Sequence, residues 1–230
     1  MERYSRKELA VVMYHLHIPY PDPMTNPSTE ARAKSCGVYC TPSFAIDGKM
    51  ATAGGSRDEA QSFYDKLNLQ VEKRLEAPAE ARLTLNASLE GGVVKARVIV
   101  DNVRSKSSDL KLQIALIEDH LTYSGQNGVR FHPMVVRSLG GEKGEGFAVN
   151  PLETTTVEQS FDVGKIAKEL KAYLEDFEKK HWSKTAFTQK KHEIHENGLS
   201  VAAFVQDAKS KQVLQAAFVK VKPEAVASNR

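Results

Sequence analysis

The sequence predicts an α+β protein in two parts: an α/β unit over residues 1–78 and an antiparallel β-sandwich with one inserted helix over 79–223, followed by a tail at 224–230. Three observations predict it. Strand-like and helix-like stretches alternate through the first third of the chain. Past Glu76 the apolar period changes abruptly to two. A single helical stripe near 163–180 then interrupts the strands.

The first stretch, ELAVVMYHLHI (8–18), is nearly continuous in apolar and β-branched residues, as in a strand buried on both faces of a sheet. Four prolines between 19 and 27 forbid regular structure there. Ser28 is placed to cap a helix through TEARAKSC, and Gly37 to end it. TPSFAIDGKMATAGG reads as two short strands around an Asp47-Gly48 turn. Ser56 and Glu59 have capping-box spacing ahead of a long helix whose apolar side is Ala60, Phe63, Leu67, Leu69, Val71 and Leu75. After the linker at 77–81, Leu83, Leu85, Ala87 and Leu89 alternate with polar residues. Gly91-Gly92 then turns the chain into Val94, Ala96, Val98 and Val100. Leu112, Ile114 and Leu116 mark another strand, with more at 129–138, 154–162, 199–206 and 213–221. Many short strands joined by turns give an immunoglobulin-like sandwich that folds by itself from about residue 80. Val163, Ile166, Ala167, Leu170, Tyr173, Leu174 and Phe177 line the inserted helix, with Trp182 anchoring its end. GGEKGEG (140–146) lacks the spacing of a phosphate loop and reads as a flexible connection.

Composition narrows the function classes. The balance is that of an ordinary globular chain, 41% hydrophobic and 27% charged. A net charge of +3 with lysines mixed among acids gives no basic face for nucleic acid. No apolar run approaches the ~20 residues of a membrane span, and MERYSRKELAVV lacks the apolar core of a signal peptide. Asn86-Ala87-Ser88 matches a glycosylation triplet, a pattern common by chance.

The order strand, helix, CGVYCTPSFAIDGK, hairpin, long helix resembles the C-terminal half of a thioredoxin fold, over roughly residues 8–76. The resemblance implies that Thr41-Pro42 is the family's cis-proline dipeptide, which lies against the redox centre. It also implies that Cys40, two residues earlier, is the better thiol candidate, ahead of Cys36. The chain departs from the family in having no Cys-x-x-Cys and neither the strand nor the helix that would carry it. It therefore reads as a shortened form, weak or inactive alone in thiol–disulfide chemistry, whose partner would be a thiol or disulfide protein. YHLHIPYPDPMTNPSTEARA, NGVRFHPMVVRSL and VAAFVQDAKSKQVLQAAFV are further similar to a bacterial group that joins a thioredoxin-like domain to a C-terminal β-domain and is generally exported, to the periplasm or cell envelope. The absent strand leaves 8–18 without a neighbour, and a second copy is the expected remedy, a homo-oligomer. The other class of function is a non-catalytic binding or assembly module working through the sandwich surface.

The candidate residues are few. Cys36 and Cys40 can bridge only if the chain turns at Gly37, since a disulfide needs Cα atoms within about 7 Å and an extended segment holds them about 13 Å apart. Otherwise they pack as small free thiols. His15 and His17 fall on one side of the predicted strand at its C-terminal end, where α/β sheets bind ligands, and are candidates for substrate binding. With a cysteine they have the donor types for zinc or copper. The weight falls instead on histidines bonded to the Pro-rich loop, with no metal and no cofactor. His192 and His195 read as solvated loop residues. His132, in RFHPM before a proline, reads as structural, and Arg130, His132 and Arg137 together read as a solvated strand face, with an acidic partner as the functional alternative.

Overall fold

The computed structural model describes residues 3–125, 127–181 and 186–223. Trp182, expected to anchor the inserted helix, lies outside them. The fold is α+β and mostly strand, with three α-helices and several sheets in which antiparallel pairing predominates.

Residues 8–18 do not form the expected buried strand. They run extended, and their one ladder contact is a parallel bridge from Met13 to Val135. The apolar run is one-sided: Val12, Met13 and Tyr14 pack on a neighbouring sheet, and only Leu16 is fully buried. The Pro-rich loop follows, with Met24, Thr25 and Asn26 buried. Helix α1 (Pro27–Ser35) is capped by Asn26 rather than Ser28. The Asn26 side chain accepts from the Thr29 N–H while Thr29 Oγ1 accepts from the Asn26 N–H, both at 3.1 Å. Asn26 Nδ2 also donates to the Val136 carbonyl, so one side chain starts the helix and docks it. Gly37, at φ +67°, ends α1 as expected, letting the Val38 N–H reach the Ala33 carbonyl.

Strands β1 (Ser43–Ile46) and β2 (Lys49–Ala53) form a hairpin through Asp47-Gly48, both at positive φ. This two-stranded sheet has no further strand on either edge among the described residues. Its tip is seated on the rest of the molecule. Asp47 O accepts from the Val213 N–H, and a Cβ at position 48 would lie 1.7 Å from the Lys211 carbonyl, which glycine alone avoids. Ser56 N and Oγ both donate to the Glu59 carboxylate ahead of α2 (Ala60–Glu76). The helix buries Val71, whereas Leu69 and Leu75, assigned to its apolar side, are exposed. Arg74 ties it to Asp47 at 2.6 Å.

The remaining strands form the layers that period-two alternation foretells. They are β3 (Arg82–Glu90), β4 (Val93–Asp101), β5 (Leu110–Glu118), β6 (Leu121–Thr122), β7 (Phe131–His132), β8 (Val135–Leu139), β9 (Phe147–Ala148) and β10 (Thr155–Asp162). Then come α3 (Val163–His181), β11 (Leu199–Asp207), β12 (Val213–Lys220) and β13 (Lys222–Pro223). One sheet has the order β10-β4-β3-β13. The other runs β12-β11-β5-β8, with β9 beside β8 on the same edge of β5. Between the two sheets lie Leu85, Val94, Ala96, Val98 and Val100 from one and Leu112, Ile114, Leu116, Val201, Ala203 and Val205 from the other. Each Val, Leu or Ile side chain among them gains roughly 1.5–3 kcal/mol on burial. Asp162 Oδ1 accepts from the Lys165 N–H, and Val163, Ile166 and Leu170 carry α3 into this core.

Two local expectations change. The strand foreseen at 129–138 is broken at Pro133 and Met134, where φ is +58° and the chain turns from β7 into β8. The glycine-rich stretch 140–146 is a tight, internally bonded excursion between β8 and β9. Gly146 N donates to Gly140 O, Gly140 N to Ile114 O, and Gln113 Nε2 to Glu145 O. A side chain on Gly141 would strike the Gly146 backbone, so these glycines serve close approach.

The sheet of β5 and β11 has a second apolar face. Ala115, Ile117, Met134, Val136, Leu139 and Ala202 form it, and Val12, Met13, Tyr14 and Phe218 cover it. The N-terminal part and the sandwich thus share a core. Asn26→Ala removes the cap, the Thr29 partner and the bond to β8. Chemical denaturation is expected to show a loss of about 1–3 kcal/mol, the range for a cap combined with a buried hydrogen bond.

Candidate functional site

The Pro-rich loop holds His15 and His17 as the sequence suggests, through one residue. His15 Nδ1 donates to Asp22 Oδ2 at 2.8 Å, and the Asp22 N–H donates to His17 Nδ1 at 3.0 Å. Asp22 Oδ1 accepts from the Met24 N–H, which fixes the carboxylate. Asp22 thereby sets opposite tautomers, with Nδ1–H on His15 and Nε2–H on His17. Both outer nitrogens, His15 Nε2 and His17 Nε2, are buried without a hydrogen-bond partner among the described residues.

The two rings point into different surroundings, because 8–18 is not a regular strand. His15 meets the ring of His132 edge-on at 5.1 Å. His17 lies flat on Phe177 of α3, with centroids 3.7 Å apart, and near Tyr173 and Phe187. Burial among these rings drives the His17 pKa down to about 4, against the pull of Asp22 and with the help of His181. His132 is lowered as well, chiefly by burial, although its Nε2 donates to the Tyr123 carbonyl at 3.0 Å.

Cys36 and Cys40 are free and half-buried. Cys36 closes the C-terminal end of α1, its N–H bonded to the Arg32 carbonyl. Its surroundings include Tyr14, whose phenol burial pushes up and the Arg32 guanidinium pulls down. Cys40 Sγ is 3.8 Å from Ser43 Oγ, which donates to the Cys40 carbonyl at 2.7 Å. The Thr41–Pro42 peptide is cis, as is Ile18–Pro19, and Thr41 Oγ1 donates to the Ile18 carbonyl at 2.6 Å. The thiols and the two histidines do not converge. Among the described residues no group of three or more His, Cys, Asp or Glu side chains has metal-binding geometry.

A second cluster escaped the sequence reading. Arg137 and Glu118, assigned to a solvated face and to no site respectively, are both 1% exposed at the side chain. β8 lies at the edge of its sheet, yet four of its five residues are buried, Arg137 among them. Glu118 Oε1 accepts from the His195 N–H at 2.8 Å and from His195 Nδ1 at 2.9 Å. Its other oxygen lies 3.3 Å from Arg137 Nε, and the Arg137 guanidinium donates onward to the Lys191 and Glu193 carbonyls. Burial lowers the Arg137 pKa and Glu118 opposes it. His195 presents Nε2 to solvent, as expected of a loop histidine, but its other edge is fixed by a buried acid. The sequence signal for this cluster is Glu118 closing the apolar run IALI of β5. His132 is buried, which fits its structural reading and not the solvated face.

Comparison with solved structures gives a fold. HBP35 of Porphyromonas gingivalis matches with a TM-score of 0.56 and 14% identity over 88% of this chain. The likeness is one of fold. The uncovered 12% is shorter than residues 1–78 and shorter than 79–223, so the matched region includes residues of both. The chain spans 60% of the length of the HBP35 chain. A domain of the outer membrane lipoprotein Omp28 from the same organism aligns with 65% of this chain and 93% of its own, at 16% identity and a TM-score of 0.37. No protein-family profile matches the chain, and no curated protein matches its sequence. No helix among the described residues is long and apolar enough to cross a membrane.

The buried pair makes a specific demand on stability. Arg137→Met leaves the Glu118 carboxylate buried beside an apolar side chain, and urea unfolding is expected to show a loss of about 3–5 kcal/mol. Arg137→Met combined with Glu118→Gln is expected to lose less than the sum of the two single changes, since no lone charge then stays buried.

Proposed function

We propose that the chain is a redoxin-related exported protein in which thiol–disulfide chemistry belongs to a more complete form of the fold, and that this chain alone is weak or inactive as a catalyst. The observation that carries the reading is the placement of the thiols. Reactive redoxin thiolates stand at helix N-termini, where backbone N–H groups stabilise them. Cys36 stands at the opposite end of α1, and Cys40 lies beyond any helix, next to Thr41-Pro42. The redoxin relation itself rests on the sequence resemblance of CGVYCTPSFAIDGK, and the likeness to HBP35 is one of fold. Under this reading residues 1–78 are an incomplete thioredoxin-like domain and 79–223 an immunoglobulin-like one. Cys40, then Cys36, are the thiols for a protein partner, and His15 and His17 shape the neighbouring surface. The Omp28 alignment, at its low TM-score, adds nothing to the export reading, which rests on the sequence resemblance.

A second reading, a binding or assembly module, is favoured by exposed apolar side chains. Phe131 and Val129 stand out from the β6–β7 ribbon on the sandwich side; Tyr39, Phe44, Met50 and Tyr64 do so on the hairpin side. The ground first given for a homo-oligomer, an unpartnered strand at 8–18, is replaced by this one, since that segment pairs within its own chain. Incubation of purified protein with insulin and a thiol reductant tests the claim that the chain is inactive alone, and light scattering tests the assembly reading. The expected outcome is precipitation no faster than with reductant alone, unchanged by Cys40→Ser, together with light scattering at micromolar concentration that reports more than one copy. Acceleration that Cys40→Ser abolishes contradicts the claim that the chain is inert alone.

A further inference from the structure

Residues 9–22 are fastened to the rest of the molecule at three places. Met13 pairs with β8, the Ile18 carbonyl accepts from Thr41, and two imidazoles are enclosed by rings from three other elements. His15 abuts His132 of β7. His17 is stacked on Phe177 of α3 and flanked by Phe187 of the connection to β11, while His181, one turn beyond Phe177, approaches that ring to 4.5 Å. Asp22 is the carboxylate that faces these groups. Glu30 lies beside Tyr173, and Glu178 is occupied by Lys190 at 2.7 Å and by the Phe187 N–H. Among the described residues, four imidazoles therefore gather around the one carboxylate of Asp22.

We infer that this cluster is an acid-operated latch: protonation of His17 and His132 releases residues 9–22 from α3 and β8 and bares the outer face of the β5–β11 sheet. The closed form has no place for the protons. His17 Nδ1 already accepts the Asp22 N–H, and protonating it would turn that acceptor into a donor facing a donor. His17 Nε2 and His15 Nε2 have no acceptor within reach among the described residues. A charge on His132 would sit against the His15 ring.

The direction in pH follows from the depressed values. A released histidine titrates near pH 6.5, whereas His17 in the closed form titrates at about 4. The closed form is therefore fully favoured above about pH 6.5 and loses ground as the pH falls toward 4, where the released state binds more protons. Each pH unit in that window multiplies the open fraction by at most about ten for each such group. Half-buried His17 is expected to give on the order of 30- to 100-fold over the whole window, less than the full shift because solvent screens it.

The test is amide hydrogen exchange followed by mass spectrometry on the full chain, corrected for intrinsic rates, between about pH 7 and about pH 4. Peptides covering 9–18 are expected to lose protection across this range while those of β5 and β11 keep theirs. His17→Phe keeps a ring on Phe177 without a titrating nitrogen, and is expected to reduce the pH-dependent loss at least tenfold. Loss of β5 and β11 protection in step with 9–18 would mean ordinary acid unfolding and overturn the latch, as would full protection of 9–18 at the acid end. Should His17→Phe not fold, an NMR titration of the histidine Cε1–H signals of the unaltered protein decides: His17 titrating near its free value overturns the proposal.

Discussion

The outer edge of β8 and the second apolar face of β5 set the terms for the N-terminal third of the chain. β5 reads LKLQIALIE, with Ala115 and Ile117 on one face and Ile114 and Leu116 on the other, all fully buried. A sheet apolar on both faces must be covered on both, and an edge strand with free donors and acceptors invites foreign pairing. Residues 9–28 answer both demands. Val12, Met13 and Tyr14 cover the face. Met13, the Asn26 side chain and Ser28 Oγ occupy the edge groups of Val136 and Leu139. The remaining N-terminal elements are placed from there: α1 grows from Asn26, and Arg32 reaches Gln206 at 2.7 Å and stands over Phe204.

The two buried polar clusters serve the same closure from opposite sides. Asp22 holds the Pro-rich loop by satisfying His15, His17 and the Met24 amide at once. Glu118 and Arg137 hold the connection between α3 and β11 by bonding His195 and two backbone carbonyls. In each case a charge is taken from water, which is costly unless its partners are fixed. The fixed partners include backbone groups of segments that lack regular structure, so side chains substitute there for a hydrogen-bond ladder.

Much of this was legible from period and punctuation. Alternation from Leu83 to Val100 and the stripe from Val163 to Phe177 located the main strands and α3 because one face of each is buried. Gly37 and Asp47-Gly48 marked turns that require positive φ. The segment at 8–18 misled because an apolar run records burial without naming the element that supplies it; here β8, more than a hundred residues away, does. Ser28 was a plausible cap, and Asn26 won because its amide has both an acceptor and a donor to use. Arg137 and Glu118 could not be paired from sequence, since nothing local says that two charges on neighbouring strands turn inward together.

The N-terminal third depends most on the docking of residues 9–28 along β8, and NMR on isotope-labelled protein at neutral pH reads it directly. Cross-strand nuclear Overhauser contacts between Met13 and Val135–Val136 are predicted, together with slow solvent exchange of the Val136 N–H, which donates to the Met13 carbonyl. A Val136 N–H that exchanges at the free rate, with no contact to Met13, would contradict it.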